Sequence, residues 1–162
     1  MADKLLTGLN DRGYEVALLS GKPLARHDYT AVASGGTYSQ YVLAPLVYWR
    51  RFRGWDVVVD VETGIPFFSP LWRRGPVICL VHHIHTDQWQ LYFPKPVAWL
   101  GRWLESVLMP RVYRRCQFTA DSESTKQSLI ALGIDPARIR TIALGIDPVD
   151  ESRQRRSELP SV

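Results

Sequence analysis

Apolar and polar positions along the chain switch repeatedly between helical and extended spacing. Leu5, Leu6 and Leu9 share one face of a helix predicted over 3–12, and Gly13 closes it. Residues 14–19 read as a strand ending in Ser20-Gly21, and 29–33 as a second ending in Ser34-Gly35-Gly36. Residues 38–52 carry a helical pattern with a kink expected at Pro45. A third strand is predicted over 56–61, ending in Glu62-Thr63-Gly64, and a short helix or turn over 66–72. Val77-Ile78-Cys79-Leu80-Val81 is a short apolar, β-branched run, the signature of a buried strand. His82-His83-Ile84-His85-Thr86-Asp87 follows it directly. Pro94 and Pro96 then break the chain, and 97–115 reads as a long amphipathic helix bent at Pro110. Residues 117–120 form a strand ending in Asp121-Ser122. Ser122 can cap a helix over 123–132 that Gly133 terminates, and 139–143 is the last strand.

Alternating strands and helices predict an α/β fold: a Rossmann-like, doubly wound parallel sheet with helices on both faces. In such a sheet the strand C-termini lie along one edge. Ser34, Gly35, Gly36, Glu62, Thr63, His82, His83, Asp121 and Ser122 would then line one crevice. One domain is expected over 1–147. From Pro148 the chain turns polar and charged, so 148–162 reads as a disordered tail or a cut interdomain linker.

Composition narrows the class. An apolar fraction of 46% with 22% charged residues suits a soluble globular domain and excludes a disordered chain. The uncharged stretch 30–49 contains Gly35-Gly36 and Pro45 and does not read as a membrane span. The start, Met1-Ala2-Asp3-Lys4, leads into an amphipathic pattern rather than a signal peptide. Two cysteines make no disulfide framework, and Cys79 sits within an apolar run as a buried thiol would, so a reducing, cytoplasmic setting is expected. The net charge of +4 is concentrated in Arg50-Arg51-Phe52-Arg53, Arg73-Arg74, Arg111 with Arg114-Arg115, and Arg153 with Arg155-Arg156. Tryptophans and tyrosines lie beside several of these clusters, which suits an anionic membrane surface or a phosphorylated ligand; the other reading is solvated helix ends, where cations favour the helix C-terminus. No zinc-finger, homeodomain or ribonucleoprotein motif points to nucleic acid.

Three of the four histidines fall within the six residues after the Val77–Val81 strand. His83-x-His85-x-Asp87 has the spacing of a zinc-hydrolase ligand set, and a mononuclear site from His83, His85 and Asp87 is one reading. Gln88 stands where that signature would place a further histidine, and no histidine follows His85. The other reading has one working histidine among polar loop residues. His82, the first polar residue after the strand, is best placed to point into the crevice.

Four further motifs share one order and spacing. They are Gly64-Ile65-Pro66-Phe67-Phe68-Ser69-Pro70-Leu71, the strand ending in Leu80-Val81-His82-His83, Ser122-Glu123-Ser124-Thr125, and Leu132-Gly133-Ile134-Asp135-Pro136-Ala137-Arg138-Ile139. Together they resemble the N-terminal domain of family 4 glycosyltransferases, retaining enzymes of the GT-B type. Leu144-Gly145-Ile146-Asp147 is similar to the hinge that leads into those enzymes' second domain, with Ala143-Leu144 in place of the usual Pro-Asn.

The resemblance implies one half of a GT-B fold, the acceptor side of a cleft whose other wall holds a nucleotide-sugar donor. It implies His82 as the catalytic residue, donating to a sugar hydroxyl or stabilising an oxocarbenium-like transition state. It implies Gly35, Gly36, Glu62, Thr63, His83, Ser122 and Ser124 as substrate-binding residues. No metal or cofactor is required, and the acceptor would be a sugar, a lipid-linked sugar or a small molecule. The family's opening strand with its Gly-rich loop, and its second domain, have no counterpart in this sequence. The chain alone is therefore expected to be inactive, with two exposed strand edges through which it could oligomerise. The setting would be cytoplasmic, peripheral at the inner face of a membrane. The alternative is a non-catalytic domain that binds a sugar or phosphate, or that depends on a partner.

Overall fold

The computed structural model describes residues 2–22, 28–62, 64–85 and 88–142. Helix α1 (Ala2–Asn10) precedes strands β1 (Ala17–Ser20) and β2 (Thr30–Ala33), and helix α2 (Gln40–Arg51) runs through Pro45. Strand β3 (Val58–Glu62), helix α3 (Ser69–Trp72) and strand β4 (Val77–Val81) follow. Helix α4 (Trp89–Tyr92) was not foreseen, because four residues between the histidines and the prolines are too few to show a period. The helix predicted over 97–115 is present as α5 (Lys95–Trp103), a π-helical turn (Leu104–Leu108) and α6 (Met109–Val112). The irregularity expected at Pro110 thus falls in the turn before it. Pro110 has no N–H to give the carbonyl four residues back and its ring crowds that carbonyl, so a widened π register accommodates it. Strand β5 (Gln117–Ala120), helix α7 (Glu123–Ala131), a 3-10 turn (Pro136–Arg138) and strand β6 (Ile139–Thr141) complete the order.

All the strand pairs are parallel, which makes the fold α/β. They do not form the single expected sheet. β1 pairs with β2, and β3-β4-β5-β6 make a separate four-stranded sheet. Hydrophobic period identifies a strand but not its neighbour, so the division was not legible in the pattern. Among the described residues, β3 is paired on one side only.

The core lies under the four-stranded sheet. Val77, Cys79, Val81, Phe118 and Ala120 of the strands pack with Met109, Tyr113, Leu129 and Ile134. Cys79 is a free, buried thiol, as its apolar surroundings suggested, and burial pushes it well above the usual thiol range. Arg73 belongs to the fold rather than to a cationic patch. Its buried guanidinium donates to Pro76 O, Trp55 O, Asp56 O and the Tyr48 hydroxyl, tying α2 and the β3 approach to the α3–β4 turn. A buried cation with its donors spent on carbonyls is satisfied internally and has none left for an outside anion.

Helix α5 turns Ala98 and Gly101 to the interior, and the Trp89 indole lies against Gly101. A Cβ on residue 101 would stand 2.5 Å from Trp89 Cε3, closer than carbon atoms pack. Gly101→Ala is therefore expected to lower stability by about 1–2 kcal/mol despite alanine's better helix propensity, because the indole must move. Denaturant unfolding followed by tryptophan fluorescence checks this. An unchanged midpoint would show that the indole is free to shift.

Candidate functional site

The parallel register fixes which residues meet at the C-terminal edge of the four-stranded sheet. Glu62 pairs with Val81, Val81 with Ala120, and Ala120 with Thr141. One step beyond that row, β4 delivers His82 and β5 delivers Asp121, side by side. Nδ1 of His82 lies 3.5 Å from Oδ2 of Asp121, with the two side chains 21% and 11% exposed. The pair is half-sunk, reachable from solvent but held by its surroundings.

The first turn of α7 holds the pair from below. Ser122 caps the helix, its Oγ accepting from Thr125 N at 3.2 Å. Thr125 is buried, and its Oγ1 stands 3.1 Å from His82 O and 3.0 Å from Asp121 Oδ1, with one proton to give to either. Oγ of Ser122 also lies 2.9 Å from Thr125 Oγ1 and 3.1 Å from Ser124 Oγ. The serines and threonine that start α7 thus lock the end of β4 to the end of β5. Glu123 faces away from this cluster, toward Gln127, Lys126 and Thr141. The hydrogen bond from Gln127 holds its carboxyl below the usual range.

Beneath the histidine loop is a buried acidic group. Asp60 Oδ2 accepts from Ser69 N, from Ser69 Oγ at 2.7 Å and from the Tyr113 hydroxyl. Burial foremost, with Asp60 next, raises Tyr113 far above the ordinary phenol range. Glu105, in the π-helical turn, accepts from His85 N at 2.5 Å and from Trp89 Nε1 at 3.0 Å. This carboxylate suspends the histidine loop from the long helix. Glu62 is fully buried, and its Oε1 has no hydrogen-bond partner. Burial, then the charges of Glu105 and Asp60, push its carboxyl up to about 8, so it is protonated at neutral pH.

The expected site residues are therefore spread over several places. His82, Ser122 and Ser124 are brought together. His83 is exposed beside them, with its ring 6.3 Å from that of His85. Glu62 sits behind the rim rather than on it. Gly35 and Gly36 end β2 on the other sheet, where Gly35 takes φ +118° and a Cβ would meet Ser39 Oγ at 2.5 Å. Their close approach serves the start of α2, with Gly36 N donating to Ser39 Oγ at 2.7 Å. Thr63 and Asp87, the hinge-like 144–147 and the tail 148–162 lie outside the described residues. Among the described residues no group of three histidine, cysteine or carboxylate side chains could hold a metal ion. His85 is not a bare loop residue: its backbone is bound by Glu105, and its Nδ1 lies 3.8 Å from the same carboxylate. The sequence placed Asp121 on the same crevice as His82 through their strand ends, but not as its direct partner. Thr125, which contacts His82 O, was present only within the Ser122–Thr125 motif, and Glu105, which holds the His85 backbone, was not identified from the sequence.

The parallel sheet thus presents a histidine–aspartate pair at its strand ends, beside the capped start of α7. The sequence profile of glycosyltransferase family 4 matches residues 1–150. The chain belongs to glycosyltransferase family 4. No curated protein and no solved structure matches it. As a glycosyltransferase family 4 domain it carries the family's α/β architecture, and its histidine–aspartate pair lies on the sheet edge where ligands of open α/β sheets bind.

Proposed function

We propose that this chain is the acceptor-side N-terminal domain of a retaining GT-B glycosyltransferase that transfers a sugar, of hexosyl type, from a nucleotide-sugar donor. The observation that carries the reading is the His82–Asp121 pair at the strand ends of a family 4 domain. Asp121 beside Nδ1 sets the orientation of the imidazole, which leaves Nε2 to hydrogen-bond a sugar hydroxyl near the reacting carbon. Ser122 and Ser124 supply hydroxyls on the neighbouring turn, and His83 flanks them. In this reading the nucleotide-sugar donor is held by a second domain. No metal is invoked, and charge on the leaving nucleotide is met by basic residues and helix N-termini.

The test is a screen of nucleotide-sugars by nucleotide release. It compares this chain alone with the product of the whole gene. Release with one donor class, by the whole product only, is the expected outcome. If the whole product releases nucleotide from none of them while the chain still binds a sugar or phosphate, the domain is a non-catalytic binder and the proposal fails.

A further inference from the structure

Thr125 stands under the histidine–aspartate pair. It is buried, and its Oγ1 lies within hydrogen-bond distance of three oxygens: His82 O at 3.1 Å, Asp121 Oδ1 at 3.0 Å and Ser122 Oγ at 2.9 Å. A threonine hydroxyl has one proton to share among them. Ser122 Oγ already accepts from Thr125 N, so its own proton is free to go to Thr125 Oγ1. Of the two acceptors left, Asp121 is the carboxylate, and a hydrogen bond to a charged acceptor is the stronger. The proton of Thr125 therefore goes to Asp121 Oδ1.

That bond decides how the carboxylate meets the imidazole. With Oδ1 held by Thr125, Oδ2 is the oxygen left for His82, and it lies 3.5 Å from Nδ1. The Asp121 side chain is only 11% exposed, which leaves it little room to turn away. An anionic acceptor beside Nδ1 draws the proton of the neutral ring to that nitrogen and leaves Nε2 bare. A bare Nε2 accepts a hydrogen bond and has none to give. A ligand hydroxyl satisfies it, whereas a fluorine or an ether oxygen at the same place offers no proton.

We infer that Thr125 is a positioning residue: through Asp121 it holds His82 as the Nδ1–H tautomer, so that the neutral imidazole accepts from a sugar hydroxyl. This is the reverse of the donor role implied by the family resemblance. The identity of the ligand rests on the sugar-transfer reading. The tautomer does not, and it is read in the chain without any substrate.

Long-range proton–nitrogen NMR of the chain with isotope-labelled histidine tests the inference, at a pH where imidazole is neutral. The spectrum of His82→Gln identifies the His82 signals. The parent is expected to carry the His82 proton on Nδ1. In Asp121→Asn, which keeps the shape, Thr125 takes the amide oxygen and turns the amide nitrogen toward Nδ1, so the proton should move to Nε2. Adding Thr125→Val frees the amide to turn, and the Nδ1–H form should return at least in part. Asp121→Asn carries the test if the double variant does not fold. A parent with the proton on Nε2 would overturn the inference. So would Asp121→Asn that keeps it on Nδ1, or a folded double variant in which the flip persists. In the whole enzyme, Asp121→Asn should lower kcat about tenfold or more with KM little changed. A flipped tautomer with full turnover would uphold the positioning by Thr125 and count instead against sugar transfer through His82.

Discussion

Replacing His82 with alanine is expected to lower turnover of the whole enzyme about a hundredfold or more, the usual effect of removing one transition-state hydrogen bond. The loss should fall on kcat, with KM little changed, because an interaction made only in the transition state adds nothing to ground-state binding. The fold should tolerate the change. His82 is held to the rest of the site partly through its backbone carbonyl, which Thr125 contacts whatever the side chain is. Asp121 keeps Thr125 as a partner when the imidazole is gone. The checks are steady-state kinetics with the donor found in the screen, and a melting curve of the same sample. Turnover equal to the parent's would remove His82 from the mechanism. A loss of activity that tracks a loss of melting temperature would make it a structural residue instead.

Glu62→Gln is expected to stabilise the protein in alkaline solution and leave it nearly unchanged in acid. The wild-type carboxyl is raised from 4.5 to about 8, by burial first and then by Glu105 and Asp60. In the folded chain it therefore holds its proton over a range where the unfolded chain has already released one. Such a group contributes its full stability below about 4.5, loses it progressively up to about 8, and has none left above that. Glutamine is neutral throughout and has a similar shape, so it removes the loss. The difference at pH 8 should be about 2–4 kcal/mol in favour of the variant. Urea unfolding of both proteins across this range measures it directly. Equal stabilities at pH 8, or an advantage that does not vary with pH, would show that Glu62 is not the buried acid described above.

The residues differ in how much of their role the sequence carried. The strand Val77–Val81 and the cap at Ser122 were legible because each depends on local chemistry: an unbroken apolar run, and an oxygen three residues ahead of an orphan N–H. The placing of His82 at a strand end follows from the same run. Its pairing with Asp121 was not legible, because the two residues are far apart in the chain and meet only through sheet register. Glu105 was hidden for a similar reason. It is a single acid in an amphipathic helix, and the groups it binds, His85 N and Trp89 Nε1, lie sixteen and more residues upstream. Arg73 was misread as part of a basic cluster, since composition cannot show that its donors are spent on internal carbonyls. The division into two sheets was likewise a matter of which strands pair rather than which segments are strands.

The histidine–aspartate pair is set by the match of Val81 to Ala120 across two parallel strands. That gives the site an unusual sensitivity to length rather than to identity. Conservative exchanges within β5 leave the alignment intact. A single inserted or deleted residue in β5 would carry Asp121 one place along its strand and turn its side chain to the opposite face. Among homologous genes, the spacing between Phe118 and Asp121 should therefore stay fixed even where the residues between them vary.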